Sequence, residues 1–233
     1  MSAKNRAPAV RRRRPARPRQ LRGEALRAHA REIQGRLTTA YPDAHCELDH
    51  RNPFELAVAT ILSAQCTDVR VNLVTPELFR RWPDAAALAA APSEEIEQVI
   101  HSTGFFRNKA RSLSGMARTV MTEHAGRLPA TMEALVVLPG IGRKTANVVL
   151  SNAFDINDGI VVDTHVARLS ARFGLTRETD AVKIERALLP LFDRPSWGML
   201  SHLMIWHGRR VCEARKPRCS DCTLNDICPS STT

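Results

Sequence analysis

Aromatic residues make up only 5% of the 233 positions, and alternating β-branched stretches are scarce. Both shortages weigh against strands and therefore against a sandwich or barrel. No apolar run approaches the roughly 20 residues that span a bilayer. Nothing apolar follows the basic N-terminus in the manner of a secretory signal. These absences argue against a membrane or exported protein, and the chain reads as soluble and intracellular. Strand–helix–strand alternation and internal repeats are also missing, which leaves an all-α fold. Acidic residues are wholly absent from one stretch, Met1 to Arg22, which holds nine cations.

What the chain does have is an apolar fraction of 43%, enough for a core, and a composition dominated by alanine, leucine and arginine, which favours helix. Its length suits one large domain or two modest ones. The net charge of +10 is concentrated in the tail: beyond Arg22 there are 25 cations against 24 acids. With its prolines and no apolar periodicity, residues 1–22 are expected to be a disordered arm that adds salt-dependent affinity for phosphate backbones. A nuclear or mitochondrial address and a solubility tail are the competing readings. Apolar spacing predicts helices near 24–39, 69–79, 93–101, 109–124 and 132–137, then near 166–173, 180–191 and 197–208. A further helix over 54–62 is apolar nearly all round and should be buried and central.

The stretch Leu138-Pro139-Gly140-Ile141-Gly142-Arg143-Lys144-Thr145-Ala146 carries the strongest local pattern. Gly140 and Gly142 flank one isoleucine, and an Ala/Val/Leu run follows. Glycine tolerates positive φ and close backbone approach. A helix that starts directly after the glycines aims unpaired N–H groups at whatever sits there, ideally an anion. The pattern is that of a helix-hairpin-helix, which grips a nucleic-acid phosphate without reading sequence. Lys144 falls in the first turn of the second helix; alone, it reads as an ordinary surface charge.

The last segment differs in kind. Cys212, Cys219, Cys222 and Cys228 are separated by six, two and five residues. Four thiols in one loop of an intracellular helical protein argue for a metal centre rather than disulfides. Four thiolates suit tetrahedral zinc or a [4Fe–4S] cluster. Only one close Cys-x-x-Cys pair is present, where a zinc ribbon supplies two, so the cluster fits better. Cys46 and Cys66 lie outside the pattern and are expected to be small buried hydrophobes.

Taken together, the hairpin with Lys144, the run Val162-Asp163-Thr164-His165, the run Ser63-Ala64-Gln65-Cys66-Thr67-Asp68, and His207-Gly208-Arg209 before the cysteines resemble the endonuclease III family. These are iron–sulfur DNA glycosylases with a helix-hairpin-helix, and the resemblance runs from about Leu21 to Pro229. It implies a bifunctional DNA glycosylase/AP lyase that removes oxidised pyrimidines flipped out of the duplex. Lys144 would attack the sugar's anomeric carbon and form a Schiff base, with strand cleavage by β-elimination. An amine attacks only when unprotonated, and burial and the positive end of a helix both disfavour an ammonium ion. Asp163 would accept a proton from the lysine and stabilise the developing oxocarbenium ion; it also reads as a helix N-cap before Thr-His-Val-Ala.

The resemblance further implies DNA contacts by Gly140, Gly142 and Arg143 to a phosphate near the lesion. Gln65 would fill the gap left by the flipped nucleotide, and Phe105 would wedge into the opposite strand. His165 joins the DNA contacts as a packing or phosphate-touching side chain without a chemical role. Arg215, Lys216 and Arg218 sit between the first two cluster cysteines and suit phosphate contact.

The implied architecture is two helical lobes around a DNA-binding cleft. One, about 46–156, is a six-helix lobe with the hairpin; the other joins 23–45 to 157–233 and carries the cluster. The expected partner of this monomer is double-stranded DNA with damaged bases or abasic sites. The expected place is the cytoplasm, at the nucleoid, in a bacterium, or the nucleus or mitochondrion in a eukaryote. An adenine mismatch glycosylase shares much of this pattern but lacks the lysine and carries a further C-terminal domain, whereas this sequence has Lys144 and runs five residues past Cys228. An alkylation-repair glycosylase would also lack the lysine. A non-catalytic iron–sulfur DNA-binding protein is the alternative of a different class.

Overall fold

The computed structural model describes residues 21–233, so the basic tail lies outside the described residues apart from Leu21 and Arg22. Eleven α-helices follow in order: α1 Gly23–Ala40, α2 Pro53–Leu62, α3 Asp68–Arg81, α4 Ala85–Ala90, α5 Ser93–Ile100 and α6 Phe106–Glu123, then α7 Met132–Leu135, α8 Arg143–Ala153, α9 Thr164–Arg172, α10 Ala181–Leu188 and α11 Trp197–Arg210. No strand occurs among the described residues, as the shortage of β-forming alternation predicts. Short polar side chains start many of these helices. Asn52, Thr67, Asp84, Thr131, Asp163 and Asp180 each accept a hydrogen bond from the backbone N–H three residues on.

Three elements depart from the sequence reading. Helix α4 is the run Ala-Ala-Ala-Leu-Ala-Ala, whose near-uniform alanine hides its periodicity; Asp84 caps it, and Ala85 and Leu88 face the core. The stretch expected to be one helix to Leu191 stops at Leu188 and tightens to a 3₁₀ turn, because Pro190 has no N–H to continue the ladder. Helix α6 starts at Phe106, three residues before the predicted start.

The buried apolar side chains form two cores. One draws on α2 to α8, with Leu56, Leu62, Leu78, Ile96, Leu113, Met116 and Leu150 at its centre. Helix α2 runs through it, and every residue from Glu55 to Leu62 is buried. The second core joins α1 to α9, α10 and α11, through Ile33, Leu37, Leu169, Phe173, Leu188 and Leu203, and extends to Leu224 in the cysteine segment. Chain order alone would separate α1 from its packing partners.

The two lobes meet where α8 crosses α11. A Cβ on Gly198 would lie 2.9 Å from both Ser151 Cβ and Asn157 Oδ1, so only glycine permits this approach. Polar bonds then fix the crossing. His202 Nε2–H donates to Asn152 Oδ1 at 2.7 Å, and Asn152 Nδ2 donates to Val148 O at 2.8 Å. Glu185 of α10 is buried, and it receives Arg143 Nε at 3.1 Å, Arg143 Nη2 at 3.2 Å and Asn147 Nδ2 at 3.2 Å from α8.

Two predictions follow from this junction. Gly198→Ala forces the crossing apart and is expected to lose about 1–3 kcal/mol of stability, read from the urea midpoint; an unchanged midpoint would show that the helices can slide. Burial, with a smaller push from His45, lowers the pKa of His202 to about 4. The unfolded chain takes up that proton near 6.5, so the stabilisation is complete above that pH and is lost as pH falls toward 4. His202→Gln should remove about 2–3 kcal/mol of the pH dependence of stability in that window; an identical pH profile for the variant would refute the assignment.

Candidate active site

The hairpin is shaped by close packing on α6. Leu138 and Ile141 plug the core, and the backbone between them turns through Gly140 at φ +82°. A side chain at Gly140 would be strained and would also meet Ser112 Cβ at 2.7 Å. Gly142 is different. It caps α8 with extended backbone, no side-chain cap, and open space where a Cβ would stand. The protein's own packing therefore leaves the start of α8 accessible for close approach by a ligand, with unpaired N–H groups at its positive end.

Lys144 occupies the first turn of α8 and is exposed. The burial expected for it is thus not supplied by the folded chain itself, because the cleft in front of α8 is open. Asp163 is half-buried at the start of α9, and its Oδ1 accepts from Val166 N at 2.8 Å. The capping role and the free second oxygen coexist: among the described residues Oδ2 has no hydrogen-bond partner. Ile160 to Val162, all buried, bring the chain across to this point, with Val161 N donating to Ser201 Oγ of α11 at 3.0 Å. Lys144 from one lobe and Asp163 from the other line the same cavity, of about 120 Å³, together with Asn152, His202, Trp206 and Arg209. A larger groove of about 730 Å³ lies beside it, behind Cys46 and Leu48, and holds neither residue.

Arg209 borders the cavity and is held by Asp68, which accepts from its Nη2 at 2.7 Å, and by Glu47. This triad crosses from α11 to the other lobe, so the arginine is positioned rather than mobile. Arg143 was expected to face a phosphate; its guanidinium instead lies in the bidentate pair with Glu185, and about half its surface remains exposed. His165 is half-buried, and burial lowers its pKa against the pull of Asp163. Its ring lies so close to α11 that a Cβ on Gly208 would meet Nδ1 at 2.8 Å.

Gln65 and Phe105 stand on loops, both exposed and both at positive φ, +54° and +48°. Such backbone is costly for residues other than glycine and marks positions held by their surroundings. Phe105 is 63% exposed, whereas Phe106 is half-buried, with its ring centroid 4.5 Å from that of His101. Cys46 and Cys66 are half-buried at the edge of the first core, less enclosed than expected.

The four C-terminal cysteines are unpaired and line one pocket with Arg172, Phe173 and Pro217. Burial and the neighbouring thiols raise the pKa values of Cys222 and Cys228. Sequence reasoning missed the side chains that build this loop. Arg172 donates to Cys212 Sγ at 3.1 Å, to Glu213 O at 2.8 Å and to Ala214 O at 2.8 Å. Arg168, one turn earlier, donates to Gly208 O at 3.0 Å and Cys212 O at 3.1 Å. His207 is buried, with Tyr41 Oη 2.9 Å from its Nδ1 and Cys222 Sγ 3.5 Å from its Nε2. The spacing of Arg168 and Arg172 on one face of α9 was the available signal, but such a pair usually marks a solvated face. Arg215, Lys216 and Arg218 stay exposed on the loop thus held.

Residues 58–194 match the family described as the HhH-GPD superfamily of base excision DNA repair proteins. The chain is 56% identical over 202 residues to endonuclease III of Synechocystis sp., a match covering 87% of this chain and 92% of that protein. It is 44% identical to endonuclease III of Bacillus subtilis, covering 81% of this chain and 86% of that protein. Among solved structures, a trapped endonuclease III–DNA covalent intermediate is similar at a TM-score of 0.84 and 42% identity, covering 88% of this chain and 96% of that one. A thermostable thymine-DNA glycosylase, at 20% identity and a TM-score of 0.78, shares the fold, covering 87% of this chain and 96% of that one. The sequence motifs, the all-helical fold and these matches converge: the chain belongs to the endonuclease III family within the helix-hairpin-helix base excision DNA repair superfamily.

Proposed function

We propose that Lys144 and Asp163 carry the chemistry of a bifunctional DNA glycosylase/AP lyase acting on double-stranded DNA with damaged bases or abasic sites. The observation that carries this reading is their convergence, from opposite lobes, on one open cavity. A base turned out of the duplex enters the cavity, and the sugar lies between the two side chains. The Lys144 amine forms a bond to C1′ while the C1′–N bond to the base breaks. The Asp163 carboxylate faces the oxocarbenium charge that develops there and accepts a proton from the nitrogen. Ring opening yields the Schiff base, whose electron withdrawal acidifies the C2′ proton. Loss of that proton expels the 3′ oxygen and cuts the strand, and water then releases Lys144.

The contacts fall into place around this centre. Gly140 and Gly142 offer backbone N–H groups to a phosphate beside the lesion, supported by the open space in front of Gly142. Gln65 enters the gap left by the flipped nucleotide and Phe105 wedges into the opposite strand; their exposure on strained loops supports those roles. Arg143 adds charge at the hairpin while paired with Glu185, and His165 packs beneath the phosphate path. Oxidised pyrimidines are the substrate class we assign. The chain divides into a lobe over residues 46–156 and a second over 23–45 with 157–233, in keeping with the two separate cores.

Cys212, Cys219, Cys222 and Cys228 would hold a [4Fe–4S] cluster. The donor set is all sulfur and shares one pocket, which fits an iron–sulfur centre held by four thiolates. When bound, the cluster would cross-link the loop that displays Arg215, Lys216 and Arg218.

Borohydride reduction on abasic duplex is expected to give a covalent adduct with the native chain and none with Lys144→Ala; normal trapping by that variant would sink the lysine assignment. Asp163→Asn keeps the cap and the fold, and should slow base release by roughly a hundredfold or more, measured in single turnover. Anaerobically purified protein should contain iron and acid-labile sulfide in equal amounts; stoichiometric zinc without sulfide would overturn the cluster.

A further inference from the structure

Lys109 is the fourth residue of α6, and its side chain is buried among apolar neighbours where a lysine has no ordinary reason to be. Its residue exposure is 5%. No carboxylate bonds to it among the described residues. The ammonium instead donates to two backbone carbonyls, Leu62 O at 2.8 Å and Thr103 O at 2.8 Å. Burying a charge is costly unless its hydrogen bonds are met, and an apolar chain of similar volume usually serves a core as well or better. A buried lysine spent on two carbonyls calls for an account beyond packing.

The identity of the two carbonyls supplies it. Leu62 is the last residue of α2, where the carbonyls have run out of helical N–H partners and the dipole is negative, so a cation is favoured there. Three residues later the chain presents Gln65 at φ +54°. Thr103 is buried and closes the 3₁₀ turn His101–Thr103; two residues later the chain presents Phe105 at φ +48°. Among the described residues only four positions other than glycine have positive φ, and these are two of them. Such backbone costs about 1–3 kcal/mol and persists only where neighbouring structure fixes it. The stems of both strained loops, far apart in sequence, are tied to one Nζ atom.

We propose that Lys109 is a positioning residue that couples the Gln65 and Phe105 loops, so that the two side chains enter the duplex as one preorganised unit. This rests on the reading above that Gln65 and Phe105 are inserted. Insertion at a lesion requires the two residues to stand at a fixed separation, one for each strand. Two independently mobile loops would each lose conformational freedom on binding; a common ammonium anchor meets that cost during folding. Lys109 touches neither DNA nor the reacting atoms, and the carbonyls of Leu62 and Thr103 transmit its effect.

The test is a double-mutant cycle on the dissociation constant for a duplex holding a tetrahydrofuran abasic analogue, read by fluorescence anisotropy. Gln65→Ala and Phe105→Ala are combined in three backgrounds: native, Lys109→Arg and Lys109→Met. Thermal unfolding verifies that each variant is folded; should Lys109→Met not fold, Lys109→Gln, which reaches fewer carbonyls, takes its place. In the native chain each single change weakens binding, and the double change falls short of the product of the two by about fivefold or more. Lys109→Arg, which can still donate to both carbonyls, keeps that coupling. In Lys109→Met the coupling disappears and the two effects multiply. A residue that merely stabilised the fold would weaken binding in every variant without altering the coupling. Independent effects in the native chain, or coupling that survives in Lys109→Met, would overturn the proposal. If neither Gln65→Ala nor Phe105→Ala weakens binding, the insertion reading itself falls and the proposal falls with it.

Discussion

One short helix joins the cavity that Lys144 and Asp163 line to the cysteine loop. At its start, Asp163 caps α9 and is thereby fixed at the cavity. Further along it, Arg168 and Arg172 hold Gly208 O of α11 and, in the loop, Cys212 O and Sγ, Glu213 O and Ala214 O. A guanidinium brings several donors in one rigid plane, so two of them can satisfy a run of carbonyls that has no secondary structure of its own. The helix spans nine residues, Thr164–Arg172, and is therefore stiff on this scale. Any displacement of the cysteine loop would pass directly to the carboxylate. That constraint explains why the four-cysteine loop belongs to the same folding unit as Asp163.

The opposite half of the site is fixed by different means. Lys144 sits one residue after Arg143, whose pair with buried Glu185 clamps the beginning of α8 to α10 across the lobes. Gly159 admits no side chain there: a Cβ would meet Glu185 Oε1 at 2.1 Å and Asn147 Nδ2 at 2.6 Å. Removing the half-exposed Arg143 would leave the buried Glu185 carboxylate desolvated and short of its partner. The lysine and the aspartate thus approach each other from separate lobes, while Glu185 and the crossing at Gly198 keep those lobes in register. An exposed lysine on a firmly held helix leaves the cavity to be closed by whatever enters it.

Much of this was legible in the sequence because local rules and chemistry coincide there. The Gly-x-Gly turn, the apolar run of α2, the Asp cap before Thr-His-Val-Ala and the cysteine spacing all write their structure into neighbouring positions. What remained hidden involves partners distant in sequence. Glu185 reads as one acid of an amphipathic helix, Arg172 as a surface charge near a helix end, and Lys109 as an ordinary surface lysine at a helix start. Helix α4 was invisible for a different reason, since near-uniform alanine carries no period. The openness of Lys144 also could not be read: first-turn position is local, whereas exposure depends on the lobe opposite.

The distribution of backbone strain divides the site into two kinds of element. Lys144 and Asp163 stand at the first positions of regular helices, in relaxed backbone, where hydrogen bonds and caps define their direction. Gln65 and Phe105 stand in left-handed backbone on connecting loops. The bond-making role proposed for Lys144 and Asp163 needs fixed direction relative to one sugar, and helix termini supply it with little conformational freedom to lose. The insertion proposed for Gln65 and Phe105 needs side chains raised clear of the surface, and a left-handed residue turns the chain sharply enough to do so at one position. The strain is held by deep contacts beneath the loops, with the Lys109 ammonium as their common point, so exposure at the tips does not imply freedom at the stems.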